Sequence, residues 1–214
     1  MAWALASMAP CVAATKPLYY WKNVSIGGGG YITGIVIHPT EPDLVYARTD
    51  VGGFYRWDAA TSRWIPITDH FTLDQQELYG GESIAIDPKD PNVVYIACGR
   101  SLTIGAPSGV FKSTNRGATW ERLPLNNVEM HGNGAKRNTG ERLVVSPHDS
   151  NLLVFGTRGD GLQRSTNGGL TWTKLTSFPD VWTWGTGFTS VEFDPTTPGI
   201  VYAAAYGSDA DDGV

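Results

Sequence analysis

Short apolar runs separated by proline, glycine and polar residues follow one another along the chain. Four pairs of runs share one order, in which an apolar run ends at a proline turn and a second apolar run follows. The first runs of these pairs begin at Gly34, Ser83, Arg142 and Ser190. Short runs rich in Val, Ile, Leu and Tyr favour β-strands over helices. The pattern therefore predicts four copies of a strand, a proline turn and a second strand.

The spacing of these copies indicates the fold. The turn prolines, Pro39, Pro88, Pro147 and Pro195, recur at intervals of 49, 59 and 48 residues. One four-stranded β-propeller blade occupies roughly 40 to 50 residues, plus insertions. The sequence thus predicts an all-β fold, a β-propeller with about three and a half blades present, since the fourth copy is incomplete at Val214. Such an open ring is expected to leave apolar blade faces exposed and to be part of a longer protein.

The second half of each copy also repeats. Residues 109–120 and 161–172 match almost position by position and share the pattern Ser-x-Asn-x-Gly-x-x-Trp, and a degenerate version runs from Gly53 to Trp64. This pattern is the Asp-box, a hairpin turn in which Asn or Asp bonds nearby backbone, Gly adopts a positive φ and Trp packs between blades. Residues that recur in every copy are expected to build the fold. The members assigned this structural role are Asn115, Trp120, Asn167 and Trp172.

Composition and charge argue against several classes of binding partner. Of 214 residues, 41% are hydrophobic and 17% charged, as in an ordinary globular domain, and the net charge is −5. Lys and Arg are scattered along the chain, so no basic stripe is predicted to bind nucleic acid or an anionic membrane surface. No apolar run approaches the roughly 20 residues that span a bilayer. The four histidines, at positions 38, 70, 131 and 148, lack paired metal-ligand spacing, so neither a metal nor another cofactor is expected.

The first fourteen residues are apolar and small, and they end with Val12 and Ala14 at the −3 and −1 spacing of a signal-peptidase site. They are interpreted as a signal peptide, which implies secretion, with residues 15–214 forming part of a first propeller domain. The segment lacks a basic start, so a ragged N-terminal tail remains the alternative. Cys98 would then be the single cysteine of the mature chain, and its place after an apolar strand predicts a buried thiol.

One segment departs from the repeat in a way that suggests chemistry. Asp50 follows the strand ending in Arg48-Thr49 and precedes Gly52 and Gly53. A carboxylate beside residues without Cβ can be approached closely by a ligand, and hairpin mouths of propellers commonly form binding surfaces. Asp in turns is also a frequent local cap, so the two interpretations stay open. The run Gly27–Gly30 lacks the Gly-Lys-Ser/Thr of a phosphate loop and is expected to be a flexible entry to the first strand.

Further candidates lie in stretches outside the repeat, residues 126–140 and 180–187, where aromatic faces could stack on sugars and Asn or Arg could bind hydroxyls. Ordinary loops with packed tryptophans are the alternative. Together with a tyrosine beside the first strand, the predicted substrate-binding residues are Tyr31, Asn133, Arg137, Trp182 and Trp184.

These segments resemble glycoside hydrolase family 74, the xyloglucanases and oligoxyloglucan reducing-end-specific cellobiohydrolases. The resemblance is carried by Trp21–Val24, Ile26–Gly34, Ala47–Gly53 and Gly140–Leu143 together with the Asp-box turns, and it covers essentially all of the chain after residue 15. It implies two seven-bladed propellers with a cleft between them, monomeric when complete, and inverting hydrolysis of the β-1,4-glucan backbone of xyloglucan, a plant cell-wall polysaccharide. Other β-glucans are further candidate substrates.

The resemblance also implies two catalytic carboxylates with different roles. Asp50 matches the family's catalytic base, which activates water while a second carboxylate, roughly 6.5 to 9.5 Å away, protonates the leaving oxygen. The family's acid belongs to the second propeller, which this chain does not contain, so the isolated chain is expected to be inactive or weakly active. Were the chain active, an acid such as Glu141 or Asp160 would have to serve.

Two other classes share Asp-boxes. Non-catalytic propellers, such as sortilin-like receptors and photosystem assembly factors, bind carbohydrate or protein without this chemistry. Sialidases need an arginine cluster that clamps a carboxylate, usually begun by an Arg-Ile-Pro segment, and the sequence contains no such segment.

Overall fold

A computed structural model describes residues 23–100, 107–125, 128–176 and 187–205. These residues form three four-stranded antiparallel sheets and one two-stranded sheet, and within each sheet spatial order follows chain order. The strands of blade 1 are β1 (Ile32–Ile37), β2 (Val45–Thr49), β3 (Phe54–Asp58) and β4 (Arg63–Pro66). Those of blade 2 are β5 (Gly81–Ile86), β6 (Val94–Cys98), β7 (Gly109–Ser113) and β8 (Glu121–Arg122). Those of blade 3 are β9 (Leu143–Val145), β10 (Leu153–Gly156), β11 (Leu162–Ser165) and β12 (Thr173–Lys174). Those of blade 4 are β13 (Phe188–Phe193) and β14 (Val201–Ala205).

The arrangement confirms the predicted propeller. Each predicted pair of strands around a proline turn forms the first two strands of a blade. The first strands lie beside one another, because β5 contacts both β1 and β9, and β9 contacts β13. A 3₁₀ helix, Leu73–Tyr79, connects blades 1 and 2. No helix among the described residues is long and apolar enough to cross a membrane.

The core is divided among the interfaces between blades, as expected when each sheet buries its faces against its neighbours. Tyr46 and Phe54 of blade 1 pack with Ile96 of blade 2. Tyr95 packs with Phe155 in the cluster between blades 2 and 3. A third cluster joins blades 3 and 4 and contains Val154, Leu162, Phe188, Val191 and Phe193. Cys98 is fully buried, and burial raises the pKa of its thiol well above the ordinary value, so it stays protonated as a core residue.

Apolar side chains on the two end sheets lack this cover. Ile35 and Ile37 of β1 are 57% and 67% exposed, and Tyr202 of β14 is 58% exposed. These are the exposed blade faces that an open ring was expected to have.

The Asp-box turns have the predicted structural role. Asn115 Oδ1 accepts a hydrogen bond from the Thr119 amide at 2.8 Å, and Asn167 Oδ1 accepts one from the Thr171 amide at the same distance. The two tryptophans differ in their partners. Trp120 Nε1 donates to the carbonyl of Ile67 in blade 1 at 2.8 Å, which ties neighbouring blades together. Trp172 Nε1 donates to the carbonyl of Gly169 in its own turn at 2.9 Å.

Two histidines also join neighbouring blades. His38 Nδ1 accepts the Glu41 amide at 2.9 Å, so Nε2 carries the proton and donates to the Asp87 carbonyl at 3.0 Å. His148 Nε2 bonds the Asp194 carbonyl at 2.9 Å. These imidazoles therefore have structural partners. In the described part of the chain no three His, Cys, Asp or Glu side chains group as metal ligands.

Candidate active site

Asp50 lies at the mouth of the hairpin between β2 and β3, and Thr49 closes this turn. The Thr49 amide donates to the Gly53 carbonyl at 3.0 Å, and Thr49 Oγ1 donates to the same carbonyl at 3.0 Å. Thr49 Oγ1 also accepts the Gly52 amide at 2.8 Å. Since Thr49 supplies the local cap, the carboxylate of Asp50 is available for contacts outside its own turn.

Those contacts reach two of the predicted substrate-binding residues. Asp50 Oδ1 accepts the Tyr31 amide at 2.7 Å, while the Asp50 amide donates to the Tyr31 carbonyl at 3.0 Å. Asp50 Oδ2 lies 3.3 Å from Arg137 Nε, and 9% of the Asp50 side chain is exposed. The arrangement fixes one carboxylate oxygen on backbone and points the other at a guanidinium.

The run Gly27–Gly30 packs directly over this hairpin. Gly30 has a φ of 94°, and a Cβ there would lie 2.9 Å from Asp50 Oδ1. A Cβ at Gly52 would overlap the carbonyl of Gly29. The glycines thus do more than provide a flexible entry to the strand, because their lack of side chains lets two backbone segments meet around Asp50.

Tyr31 and Arg137 form the exposed side of the site. The Tyr31 residue is 58% exposed, and the Arg137 guanidinium carbon lies 5.7 Å from the centre of the Tyr31 ring, within the range of a cation–π contact. The structure therefore brings Asp50, Tyr31 and Arg137 together. Asn133 lies exposed in the loop of Arg137, where its amide donates to the Arg100 carbonyl at 3.2 Å. Trp182 and Trp184 lie outside the described residues.

The loop carrying Arg137, residues 131–140, rests on three arginines that are at most 1% exposed. Arg48 donates to the carbonyls of Arg137 at 3.0 Å and Thr139 at 3.2 Å. Arg142 donates to the Lys136 carbonyl at 3.1 Å, and Arg158 donates to the Ala135 carbonyl at 2.9 Å. We call these three residues, Arg48, Arg142 and Arg158, the arginine clasp.

Two glutamates form ion pairs with the arginine clasp. Glu141 Oε1 accepts Arg48 Nε at 2.8 Å, and its Oε2 accepts the Ser83 hydroxyl and the Ile84 amide, each at 2.7 Å. These donors occupy both oxygens of Glu141, which was a candidate acid, so its carboxyl group is engaged by the scaffold of the site.

Glu82 is the second glutamate and is almost completely buried. Its Oε1 lies 2.7 Å from Arg158 Nε and 3.2 Å from Arg142 Nη1, and its Oε2 accepts the His131 amide at 2.9 Å. Burial alone would raise the pKa of Glu82, but the charges of Arg158 and Arg142 and the hydrogen bonds outweigh it and lower this pKa below its ordinary value. Burial lowers the pKa of Arg142 to about 10, which leaves it charged at neutral pH.

The arginine clasp is the part of the site that sequence reasoning missed, because its members are distant in sequence and only the fold brings them together. A signal was nevertheless present: Glu82 and Glu141 stand at the same position of the repeat, just before an apolar strand. A charge at the start of an inner strand needs a buried partner. The clasp also bears on the sialidase interpretation, since guanidiniums bound to carbonyls and glutamates are not free to hold a ligand carboxylate.

No family model matches the sequence, but comparison with individual proteins gives close similarities. The chain is 51% identical over 172 residues to the xyloglucanase Xgh74A of Acetivibrio thermocellus, an alignment that covers 78% of this chain and 20% of that protein. It is 44% identical over 194 residues to the oligoxyloglucan-reducing end-specific xyloglucanase of Emericella nidulans, covering 89% of this chain and 24% of that protein. The chain thus spans about a fifth to a quarter of these curated relatives.

Solved structures agree with the sequence comparison. The crystal structure of the glycoside hydrolase family 74 xyloglucanase of Xanthomonas campestris superimposes with a TM-score of 0.79 at 39% identity, covering 88% of this chain and 29% of that one. On these grounds the chain belongs to glycoside hydrolase family 74.

Proposed function

We propose that this chain supplies the base-bearing part of an enzyme that hydrolyses the β-1,4-glucan backbone of xyloglucan with inversion. The observation that carries the proposal is the position of Asp50. Its carboxylate does not cap its own turn, because Thr49 does so, and it lies instead beside the exposed ring of Tyr31 and the guanidinium of Arg137. A carboxylate held this way on rigid backbone is suited to activate a water molecule.

In an inverting hydrolase the base takes a proton from water as the water attacks the anomeric carbon, while an acid on the other side protonates the departing oxygen. Asp50 is the proposed base. The carboxylates that the arginine clasp binds, Glu82 and Glu141, are committed to buried arginines. Asp160 accepts the Glu129 amide at 3.2 Å at the mouth of blade 3. Following the family resemblance, we place the acid in the part of the family fold that the chain does not span.

Xyloglucan is neutral, so recognition is expected to rest on stacking and hydrogen bonding. The exposed face of Tyr31 is the proposed stacking surface for a sugar ring, and Arg137 and Asn133 are the proposed donors to sugar hydroxyls. Trp182 and Trp184 are proposed as further stacking residues. Action on a plant cell-wall polysaccharide fits export of the protein, and we propose a secreted monomer that accepts xyloglucan and related β-glucans.

Two preparations test the proposal. The first is the purified chain itself, which should release few or no reducing sugars from xyloglucan because its acid is missing. The second is a chimera in which this chain replaces the matching fifth of the Acetivibrio thermocellus xyloglucanase. This chimera should be active, and Asp50→Asn should lower its kcat roughly 10²- to 10⁴-fold. A chimera that keeps its activity after Asp50→Asn would remove Asp50 from the mechanism. A chimera that binds but never hydrolyses xyloglucan would instead favour a non-catalytic binding propeller.

A further inference from the structure

Arg48 and Asp50 stand two residues apart at the end of β2, yet only Asp50 reaches the mouth of the site. The Arg48 side chain is fully buried, so it cannot touch a polysaccharide. Each of the three nitrogens of its guanidinium nevertheless donates a hydrogen bond. Nε bonds Glu141 at 2.8 Å, and Nη1 bonds the Thr33 hydroxyl at 2.9 Å. Nη1 and Nη2 also donate to the carbonyls of Arg137 and Thr139.

These bonds connect elements that are far apart in sequence. Thr33 belongs to β1, Arg48 to β2, and Arg137 to the loop 131–140, so Arg48 fixes the loop relative to the strand that precedes Asp50. The planar, five-donor guanidinium suits this task, whereas the ammonium of a lysine could not reach all of these acceptors at once.

The side chain of Arg137 is held less firmly than its backbone. Its Nη1 approaches the Gly134 carbonyl at 3.4 Å. Its Nε is buried 3.3 Å from Asp50 Oδ2, but the contact does not have hydrogen-bond geometry, and the described residues offer this atom no other acceptor. An ion pair without a hydrogen bond does little by itself to fix the direction of the Arg137 guanidinium relative to the Asp50 carboxylate. The position of Arg137 against Asp50 therefore relies on how its backbone is held, and Arg48 is the member of the arginine clasp that binds the Arg137 carbonyl.

We propose that Arg48 is a positioning residue that sets the Arg137 guanidinium against Asp50 by holding the backbone of Arg137. Its importance for substrate rests on the proposed function of Asp50 and Arg137, but the geometry can be tested without substrate. Loss of Arg48 should displace Arg137 while leaving the turn at Thr49 closed.

The first experiment records the Nε–H resonances of arginine side chains by NMR in the full 214-residue chain, with Arg137→Lys identifying the Arg137 signal. Asp50→Asn should shift this signal, since the charge facing it is removed. Arg48→Lys should shift it in the same direction. A control, Val154→Ala, removes volume from the core between blades 3 and 4 and should destabilise the fold without moving the signal. An Arg137 signal unchanged by Arg48→Lys overturns the proposal.

A milder variant covers the case in which Arg48→Lys fails to fold. Thr33→Val keeps the side-chain shape and removes the hydroxyl that accepts from Arg48 Nη1. It should move the Arg137 signal in the same direction by a smaller amount, and no movement would count against the proposal.

The second experiment is a double-variant cycle on affinity for xyloglucan oligosaccharides, measured by calorimetry with the chimera described above. Arg48→Lys should weaken binding about tenfold when Arg137 is present and less than about twofold in an Arg137→Ala background, because residues of one network are coupled. Equal losses in both backgrounds contradict action through Arg137. If the unmodified chimera binds no oligosaccharide, the proposed function fails, while the NMR result still decides the positioning role.

Discussion

Asp50 and Arg158 occupy equivalent positions at the hairpin mouths of blades 1 and 3. Thr157 closes the second turn as Thr49 closes the first: its Oγ1 donates to the Gly161 carbonyl at 2.7 Å and accepts the Asp160 amide at 2.8 Å. The same backbone thus presents opposite charges. Asp50 faces the exposed Tyr31, whereas Arg158 turns inward to Glu82 and supports the loop 131–140. The same position of the repeat therefore holds a residue of the candidate site in blade 1, Asp50, and a residue that supports the site in blade 3, Arg158.

Because Thr49 closes the turn, Asp50 is expected to contribute little to the stability of the fold. Asp50→Asn keeps an oxygen that can accept the Tyr31 amide and loses only the ion pair with Arg137, whose side chain is 38% exposed. The free energy of unfolding of the chain, measured by urea denaturation, should change by about 1 kcal/mol or less. A loss of several kcal/mol would show that the carboxylate is a structural element, and the loss of activity in Asp50→Asn could then no longer be assigned to chemistry.

The repeat explains how much of the molecule the sequence could predict. Strand pairs around Pro39, Pro88, Pro147 and Pro195 were found because local hydrophobic pattern and turn residues decide them. Asp50 is a candidate because it departs from that repeat, and only the family resemblance assigns it a catalytic role. The arginine clasp was not found, since pairs such as Arg48 and Glu141 are 93 residues apart and no local pattern records such a contact.

The exposed ring of Tyr31 predicts an effect on ligand binding without an effect on folding. Tyr31→Ala keeps the amide that bonds Asp50 and removes a ring that is mostly in solvent. Stacking surfaces of this kind contribute about 1 kcal/mol, so affinity for xyloglucan oligosaccharides should fall several-fold. Calorimetry on the chimera measures this, and Tyr31→Phe, which keeps the ring, is the matched control. Equal losses for both variants would argue that the hydroxyl and not the ring is recognised.

The buried ion pairs of Glu82 should contribute far more to the free energy of unfolding than an ion pair near the surface. Glu82→Gln leaves Arg142 and Arg158 without their shared carboxylate, and both are almost fully buried. Breaking a buried ion pair in this way costs about 3 to 5 kcal/mol. Glu77→Gln is the control, because its partner Arg100 is 37% exposed and the expected cost is about 1 kcal/mol or less. Urea denaturation of both variants measures the difference, and equal costs would contradict the importance of the clasp.

The lowered pKa of Glu82 sets the direction of a pH dependence. The Arg158 and Arg142 charges overcome the effect of burial and hold this pKa below the value in the unfolded chain. The folded chain therefore binds fewer protons there, so the stabilisation is complete above the ordinary glutamate pKa and is lost as pH falls through the folded value. Urea denaturation from pH 7 downwards should show a steep loss of stability in acid. Glu82→Gln should flatten that slope, and an unchanged slope would assign it to other carboxylates.

The two intact Asp-boxes provide a test of the rule that repeated residues build the fold. Asn115→Ala and Asn167→Ala each remove an acceptor for a turn amide, namely those of Thr119 and Thr171. Each side chain also accepts a serine hydroxyl and donates to a threonine hydroxyl. At about 1 kcal/mol for each net hydrogen bond, each loss should lower the free energy of unfolding by about 1 to 3 kcal/mol. Because the two asparagines make matching hydrogen bonds, their costs should be similar and, in the double variant, additive. Oligosaccharide affinity of the chimera should be unchanged in both variants, since neither asparagine contacts Asp50, Tyr31 or Arg137. A several-fold loss of affinity in one variant alone would mean that this turn also takes part in binding.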